Sequence, residues 1–469
     1  MSDLELHDVQ GLIARGYAHL KAASYILLRI GDAVSARAWL GAIAPRITPA
    51  PDPAADSALN VAFTASGLTQ LGLGAEIMHQ FSDEFTAGMT TPHRQRMFGD
   101  LGPSAPETWL WGGPSTPTPH VLLALIARDT DILNQRYSAL AGEFAGVSVI
   151  TRLDSDVDLD GKEHFGFADG ISQPTVEGLS DRQDTPPNTI RTGEFILGYV
   201  NEYSLYTDRP LLDRRLDPEW LLPADVQGSG KVDLGRNGTF LVFRQLAQDV
   251  RGFWRFVDSA TRAADGSSDV DRRNWLAAHM VGRWPSGAPV TLSPDADNPR
   301  LATANDFTYQ YADQFGFNCP IGAHVRRAHP RDSLDPAPGT ARSVELDKRH
   351  RLLRRGREYG PPVPPDSLYA DPPPDDPERG LYFICLGANI GRQFEFVQHS
   401  WVNNPKFDEL YDEADPVVGY HPVGMNNFSI PREPVRVRYT NLPQFVTTRG
   451  GAYFFLPGLR ALRYLASLP

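Results

Sequence analysis

The order of apolar runs over the first 155 residues is what most limits the fold of this chain. Residues 23–30 (Ala-Ser-Tyr-Ile-Leu-Leu-Arg-Ile) have strand character. Asp32 follows where an N-cap is needed, and the pattern behind it predicts a helix to about residue 44, with Val34, Ala38, Leu40 and Ile43 as its apolar positions. Residues 59–65 read as a second strand and Ser66–Leu71 as a short helix. His120–Ile126 is a third strand, Asp129–Phe144 a helix capped by Asp129 or Thr130, and Val147–Leu153 a fourth strand. The sum, β-α-β-β-α-β with extra helices, is the ferredoxin-like α+β pattern, and it assigns residues 1–160 to a first domain.

A looser copy of that alternation occupies residues 161–469. Strands are expected at Glu194–Tyr203, Thr239–Arg244, Leu381–Leu386 and Ala452–Leu456. Helices are expected near Asp249–Ala263, from Asp271 to about Val281, over Arg392–Trp401 and over Gly458–Leu465. A Pro- and Asp-rich stretch at 181–192 and a proline-rich, acidic stretch at 359–379 read as loops. No fixed-period repeat appears, which argues against a solenoid or propeller.

Composition narrows the function classes. A chain of 469 residues with net charge −12 lacks the basic face that a nucleic-acid partner would need. Two separated cysteines, Cys319 and Cys385, make neither a disulfide framework nor a thiolate metal site, so a reducing compartment is the default. The N-terminus shows no basic region followed by an apolar one, and no apolar run approaches the roughly 20 residues of a membrane helix. The expectation is a cytoplasmic protein without a membrane partner, open to forming a homo-oligomer. Gly228-Ser229-Gly230-Lys231 lacks the spacing and the hydroxyl residue of a phosphate loop.

Three stretches could carry chemistry. In His164-Phe165-Gly166-Phe167-Ala168-Asp169-Gly170-Ile171-Ser172-Gln173-Pro174, an acid sits between two glycines that permit positive φ and a sharp bend. Such an acid either satisfies an Asx-type turn or is held for a reaction. In Asn318–Arg331, His324 precedes the basic cluster Arg326, Arg327 and Arg331. It is either an ordinary buried histidine or an axial ligand for iron, with arginines at hand for the carboxylates of a haem. In His350–Gly356, Arg354 follows two leucines and could point inward, toward Asp169 or a bound anion.

Gly166–Pro174 resembles the signature loop of the dye-decolourising peroxidases. Ala323-His324-Val325-Arg326-Arg327 followed by His329-Pro330-Arg331 is similar to that family's proximal-histidine segment, and Leu352-Leu353-Arg354-Arg355-Gly356 to its distal-arginine segment. Further likeness at Arg392–Gln398 and Phe445–Leu456 extends the resemblance over nearly the whole chain, in its long form. The resemblance implies an α+β protein of two ferredoxin-like domains, antiparallel sheets flanked by helices as in chlorite dismutases, with one haem b per chain in the second. It implies His324 as the proximal iron ligand, and Asp169 and Arg354 as distal acid and arginine. Gly166, Gly170, Ile171, Ser172, Gln173, Arg327 and Phe383 follow as cofactor contacts. Hydrogen peroxide and bulky aromatic donors, dyes and phenolics, are the implied substrates. A haem-handling or haem-sensing protein of the same fold, with weak peroxidase activity, is the alternative.

Two positions depart from the family. Where many members have asparagine, this chain has His329, a second imidazole near the first. Where some members place an acid as partner of the proximal histidine, near Asn389, the residue is neutral, which leaves Glu395 as a substitute.

Overall fold

The structure is a computed structural model that describes residues 4–179 and 188–469; most of the Pro- and Asp-rich stretch 181–192 lies outside the described residues. The first half supplies strands β1 (Ala22–Ile30), β2 (Ser57–Phe63), β3 (Val121–Ala127) and β4 (Val147–Ser155), with helix α1 (Ala33–Ile43) after β1 and α2 (Thr130–Ala141) after β3. Asp32 and Asp129 cap these helices by accepting the N–H groups of Ser35 and Ile132. The buried stripe of α1 is Ala36, Trp39, Leu40 and Ile43; Val34 is 67 % exposed and Ala38 also faces outward. Trp39 replaces them because its ring packs edge-on against Phe144 in the core.

The second half supplies β5 (Thr239–Gln248), helices α3 (Val250–Thr261), α4 (Val270–Val281) and α5 (His324–Ala328), then β6 (Leu353–Arg354), β7 (Arg357–Tyr359), β8 (Gly380–Gly387) and β9 (Val446–Leu456). The strand expected at Glu194–Tyr203 is absent. Gly198 takes a φ of 85°, and the Asn201 side chain accepts from the N–H groups of Tyr203 and Leu205, which turns the chain instead of extending it. The helix expected at Arg392–Trp401 forms over Gly391–Glu395 and Val397–Val402 with π-type bonds such as Glu395 N–H to the Ile390 carbonyl.

Both halves have one strand order. In the first it is β2-β3-β1-β4, in the second β6-β8-β5-β9 with β7 also on β8, and every pair in the two is antiparallel. Strands β9 and β2 meet at Phe455 and Phe63, joining the halves into one nine-stranded sheet. This is the α+β ferredoxin-like architecture expected from the sequence.

Alternation along the strands sorts side chains into two layers. Tyr25, Leu27, Phe243, Leu353, Tyr382 and Ile384 fill one shared core between the halves. The opposite face of the first half carries Ile26, Leu28, Val61 and Leu123, buried under α1 and α2. On β6, Leu353 enters the shared core, so Arg354 must point to the other face. No helix among the described residues is long and apolar enough to cross a membrane.

Candidate active site

The outer face of the second half opens on a cavity of about 290 Å³. Its floor is the sheet, with Arg244, Leu246 and Gln248 from β5, Arg354 from β6 and Phe383 from β8. His324, Ala328 and His329 line it from α5 and the residue that follows, and Asp169, Ile171 and Ser172 from the loop after β4. Segments that are distant in the chain therefore meet in one pocket.

His324 is the first helical residue of α5. Its Nδ1 lies 2.8 Å from Asp415 Oδ2, and Asp415 is completely buried. The other Asp415 oxygen accepts the N–H groups of Val417 and Val418, so the carboxylate is fixed before it meets the ring. Burial pulls the His324 pKa down, but the Asp415 charge and hydrogen bond outweigh it and hold it above its ordinary value. Burial likewise works against ionised Asp415, and the His324 ring overrides it. With Nδ1 engaged, Nε2 is the nitrogen left to face the cavity.

Arg354 and Asp169 form the second pair, with Nη1 3.0 Å from Oδ1 and about a third of each side chain open. Gln173 holds the Arg354 backbone from both sides: its Oε1 accepts Arg354 N–H at 3.0 Å, and its Nε2 donates to the Arg354 carbonyl at 3.2 Å. The Gly170 N–H donates to Asp169 Oδ1 at 2.6 Å. Burial raises the Asp169 pKa, but Arg354 and the Gly170 bond outweigh it, so the carboxyl lies below its usual range. The two pairs sense one another electrostatically and share no hydrogen bond.

Ile171, Ser172 and Phe383 line the cavity with His324, Asp169 and Arg354. Gly166, Gly170 and Gln173 do not; Gly166 and Gly170 act through φ values of 97° and 79° that turn the loop. Arg327 is a correction. It is fully buried and donates four hydrogen bonds to the main-chain carbonyls of Gly322, Trp401, Asn404 and Glu413, so it braces the framework behind the pocket. Glu395 is another: it takes Arg94 at 2.6 Å and the Tyr453 hydroxyl at 2.9 Å, not His324. His329 lies with Nε2 3.0 Å from Asp347, and burial pushes its pKa down to about 3, so the ring is neutral.

Asp415 escaped the sequence reading because it sits 91 residues from His324, with only its Asx-type turn as a local sign. Arg283 and Arg351 escaped it too, although both line the cavity beside Ser172.

The cavity's chemistry fits an iron porphyrin with carboxylate arms. Val397, Val417, Leu352 and Phe383 offer an apolar slot, and His324 Nε2 offers a nitrogen donor backed by a carboxylate. Arg283 is buried, its Nε has no hydrogen-bond partner among the described residues, and it lines the cavity with Arg351 where anionic groups would be received.

A cavity with a carboxylate-backed imidazole on a doubled ferredoxin-like sheet suits a haem protein, and comparison with known proteins gives the family. No protein-family profile matches the chain. It is 31 % identical to a dye-decolorizing peroxidase of Exidia glandulosa, with 98 % of this chain and 87 % of that one aligned. It is 29 % identical to the multifunctional dye peroxidase DyP2 of an Amycolatopsis strain, over 96 % and 93 %. The crystal structure of a decolorizing peroxidase from Auricularia auricula-judae superposes with a TM-score of 0.79 at 26 % identity, covering 99 % of this chain and all of that one. Related dye-decolorizing peroxidase structures hold 2,6-dimethoxyphenol and, in a variant, cyanide. The chain belongs to the dye-decolorizing peroxidase family. These are haem enzymes, oxidoreductases that act on hydrogen peroxide.

Proposed function

We propose that this chain binds one haem b in its second half, within residues 161–469, and oxidises aromatic donors by single-electron steps at the expense of hydrogen peroxide. One observation carries the reading: two charge pairs, His324–Asp415 and Arg354–Asp169, converge on one apolar cavity. The 2,6-dimethoxyphenol bound by a structural relative supports phenolic donors.

His324 would hold the iron through Nε2, while Asp415 keeps the proton on Nδ1 and raises the donor strength of the ring. Ile171, Ser172 and Phe383 would border the porphyrin, and Arg283 and Arg351 would receive its carboxylates. When bound, the haem supplies Lewis acidity and stores the oxidising equivalents that donors later discharge. Asp169, held ionised by Arg354, would accept one proton of hydrogen peroxide and deliver it to the oxygen that leaves as water, while the other oxygen and the two oxidising equivalents would pass to the haem. Arg354 stabilises the negative charge that develops as the O–O bond breaks.

The test is an absorption spectrum of the purified protein, reconstituted with hemin where needed. A Soret band that shifts on addition of one equivalent of peroxide and returns on addition of a phenolic donor is the expected result. Failure to take up hemin defeats the reading.

A further inference from the structure

Glu163 stands just before the motif, and its carboxyl has no part in the steps above. Its Oε1 accepts the Phe167 N–H at 3.0 Å and its Oε2 the Phe165 N–H at 2.9 Å. The Gln248 amide on β5 donates to Oε2 at 2.8 Å. Two main-chain bonds close the same turn, from Glu163 N–H to the Phe167 carbonyl at 3.0 Å and from Gly166 N–H to the Glu163 carbonyl at 2.8 Å. On the far side, the Phe165 and Phe167 rings pack on Phe253 and Trp254, and the Trp254 indole donates to the Phe165 carbonyl. Asp169 follows two residues later. Rotation of the 163–167 turn would therefore swing its carboxylate away from Arg354.

We propose that Glu163 is a positioning residue for Asp169: three N–H donors converge on its carboxylate, clamp the 163–167 turn to β5 and so set where Asp169 meets Arg354. All three partners are donors, so only an acceptor on both oxygens satisfies them. An amide in this place would set its NH2 against an N–H. Burial, foremost, and the nearby Asp169 charge push the Glu163 pKa up to about 7, a state that the three donors oppose. The inference rests on Asp169 being the proton carrier.

The test uses haem-loaded protein in four forms: unchanged, Glu163→Gln, Gln248→Leu and Asp169→Asn. Amide hydrogen exchange is read at Phe165 and Phe167, with the Soret band, the second-order rate constant for peroxide, and kcat for a phenolic donor at saturating peroxide. Glu163→Gln is expected to speed exchange at these amides by about tenfold, the loss of roughly one hydrogen bond. It is expected to slow the peroxide step by about ten- to a hundredfold, the effect of a misplaced catalytic group, with the Soret band and donor kcat unchanged. Gln248→Leu, which removes one arm of three, moves the same two readouts less. Unchanged exchange and an unchanged peroxide constant in Glu163→Gln overturn the proposal. So does a parallel fall in haem retention and donor kcat, the mark of a general structural role. If Glu163→Gln does not fold, Gln248→Leu decides alone, and a wild-type peroxide constant there overturns it. A wild-type peroxide rate in Asp169→Asn defeats the underlying reading instead; a slow Asp169→Asn beside a normal Glu163→Gln defeats only the role of Glu163.

Discussion

The two half-sheets share a strand order and differ in what their outer faces carry. In the first half that face is mainly apolar, with Ile26, Leu28, Leu59, Val61, Leu123 and Leu125 sealed by α1 and α2, and its polar members Ser24, Arg152 and Asp154 pair with one another at the α2 edge. In the second half β5 starts in the same way, with Phe240 and Val242 in that core, then turns at Arg244 to a face that also bears Gln248 and Arg354. Buried polar groups of this kind need partners, and the covering segments supply them: Asp100 takes Arg244, Glu163 takes Gln248 and Asp169 takes Arg354, with the cavity lying among these pairs. On the proposed function, the same topology serves in one half as a scaffold and in the other as a reaction vessel. A few outward positions on β5 and β6 make the difference.

Substitutions can break or sharpen that contrast. The largest effect is expected from His324→Ala, which removes the nitrogen donor of the second half: haem retention should be abolished, read as loss of the Soret band after gel filtration. Next, Arg354→Ala should keep the haem but slow the peroxide step by about a hundred- to a thousandfold, as when a charge-stabilising donor is removed. It also has a pH signature. Asp169 works when ionised, and Arg354 holds its pKa low, so protonation of Asp169 itself stops the step as pH falls through that low value. Without Arg354 the carboxyl loses its cation, its pKa rises, and the acid edge of the peroxide step moves to higher pH in stopped-flow measurements. An acid edge that stays put removes the ion pair from the mechanism.

Asp415→Asn should weaken haem binding by about ten- to a hundredfold, the usual cost of losing the carboxylate behind a ligating histidine, read by haem transfer to an apo-acceptor protein. A scaffold substitution should do the opposite of all three. Leu123→Ala, in the sealed half, is expected to cost about 2–5 kcal/mol of stability by calorimetry, with the Soret band and peroxide rate constant unchanged. If it altered the peroxide chemistry, the separation of scaffold and vessel would fail.

Much of this was legible in the chain. Apolar runs announced seven of the strands, and Asp32 and Asp129 announced their helices because capping is a local event. The strand expected at Glu194–Tyr203 failed because the Asn201 turn overrode its apolar residues. At the site, Asp169, His324 and Arg354 came from three short motifs. The role of Glu395 was misread because its partners, Arg94 and Tyr453, lie 301 and 58 residues away. Arg327 was misread for the same reason. Its basic cluster suggested an anion, yet its donors go to carbonyls of the 401–413 segment and of Gly322.

The amino-acid sequence by itself determined the α+β class, the doubled strand pattern and the residue types that meet in the pocket, since periodicity, capping and glycine turns act over a few residues. Tertiary structure alone decided which charges became partners. Asp415, not Glu395, reached His324, and Gln173 reached across 181 residues to fix Arg354. Electrostatic pairing depends on distance through space, and only the folded sheet sets those distances.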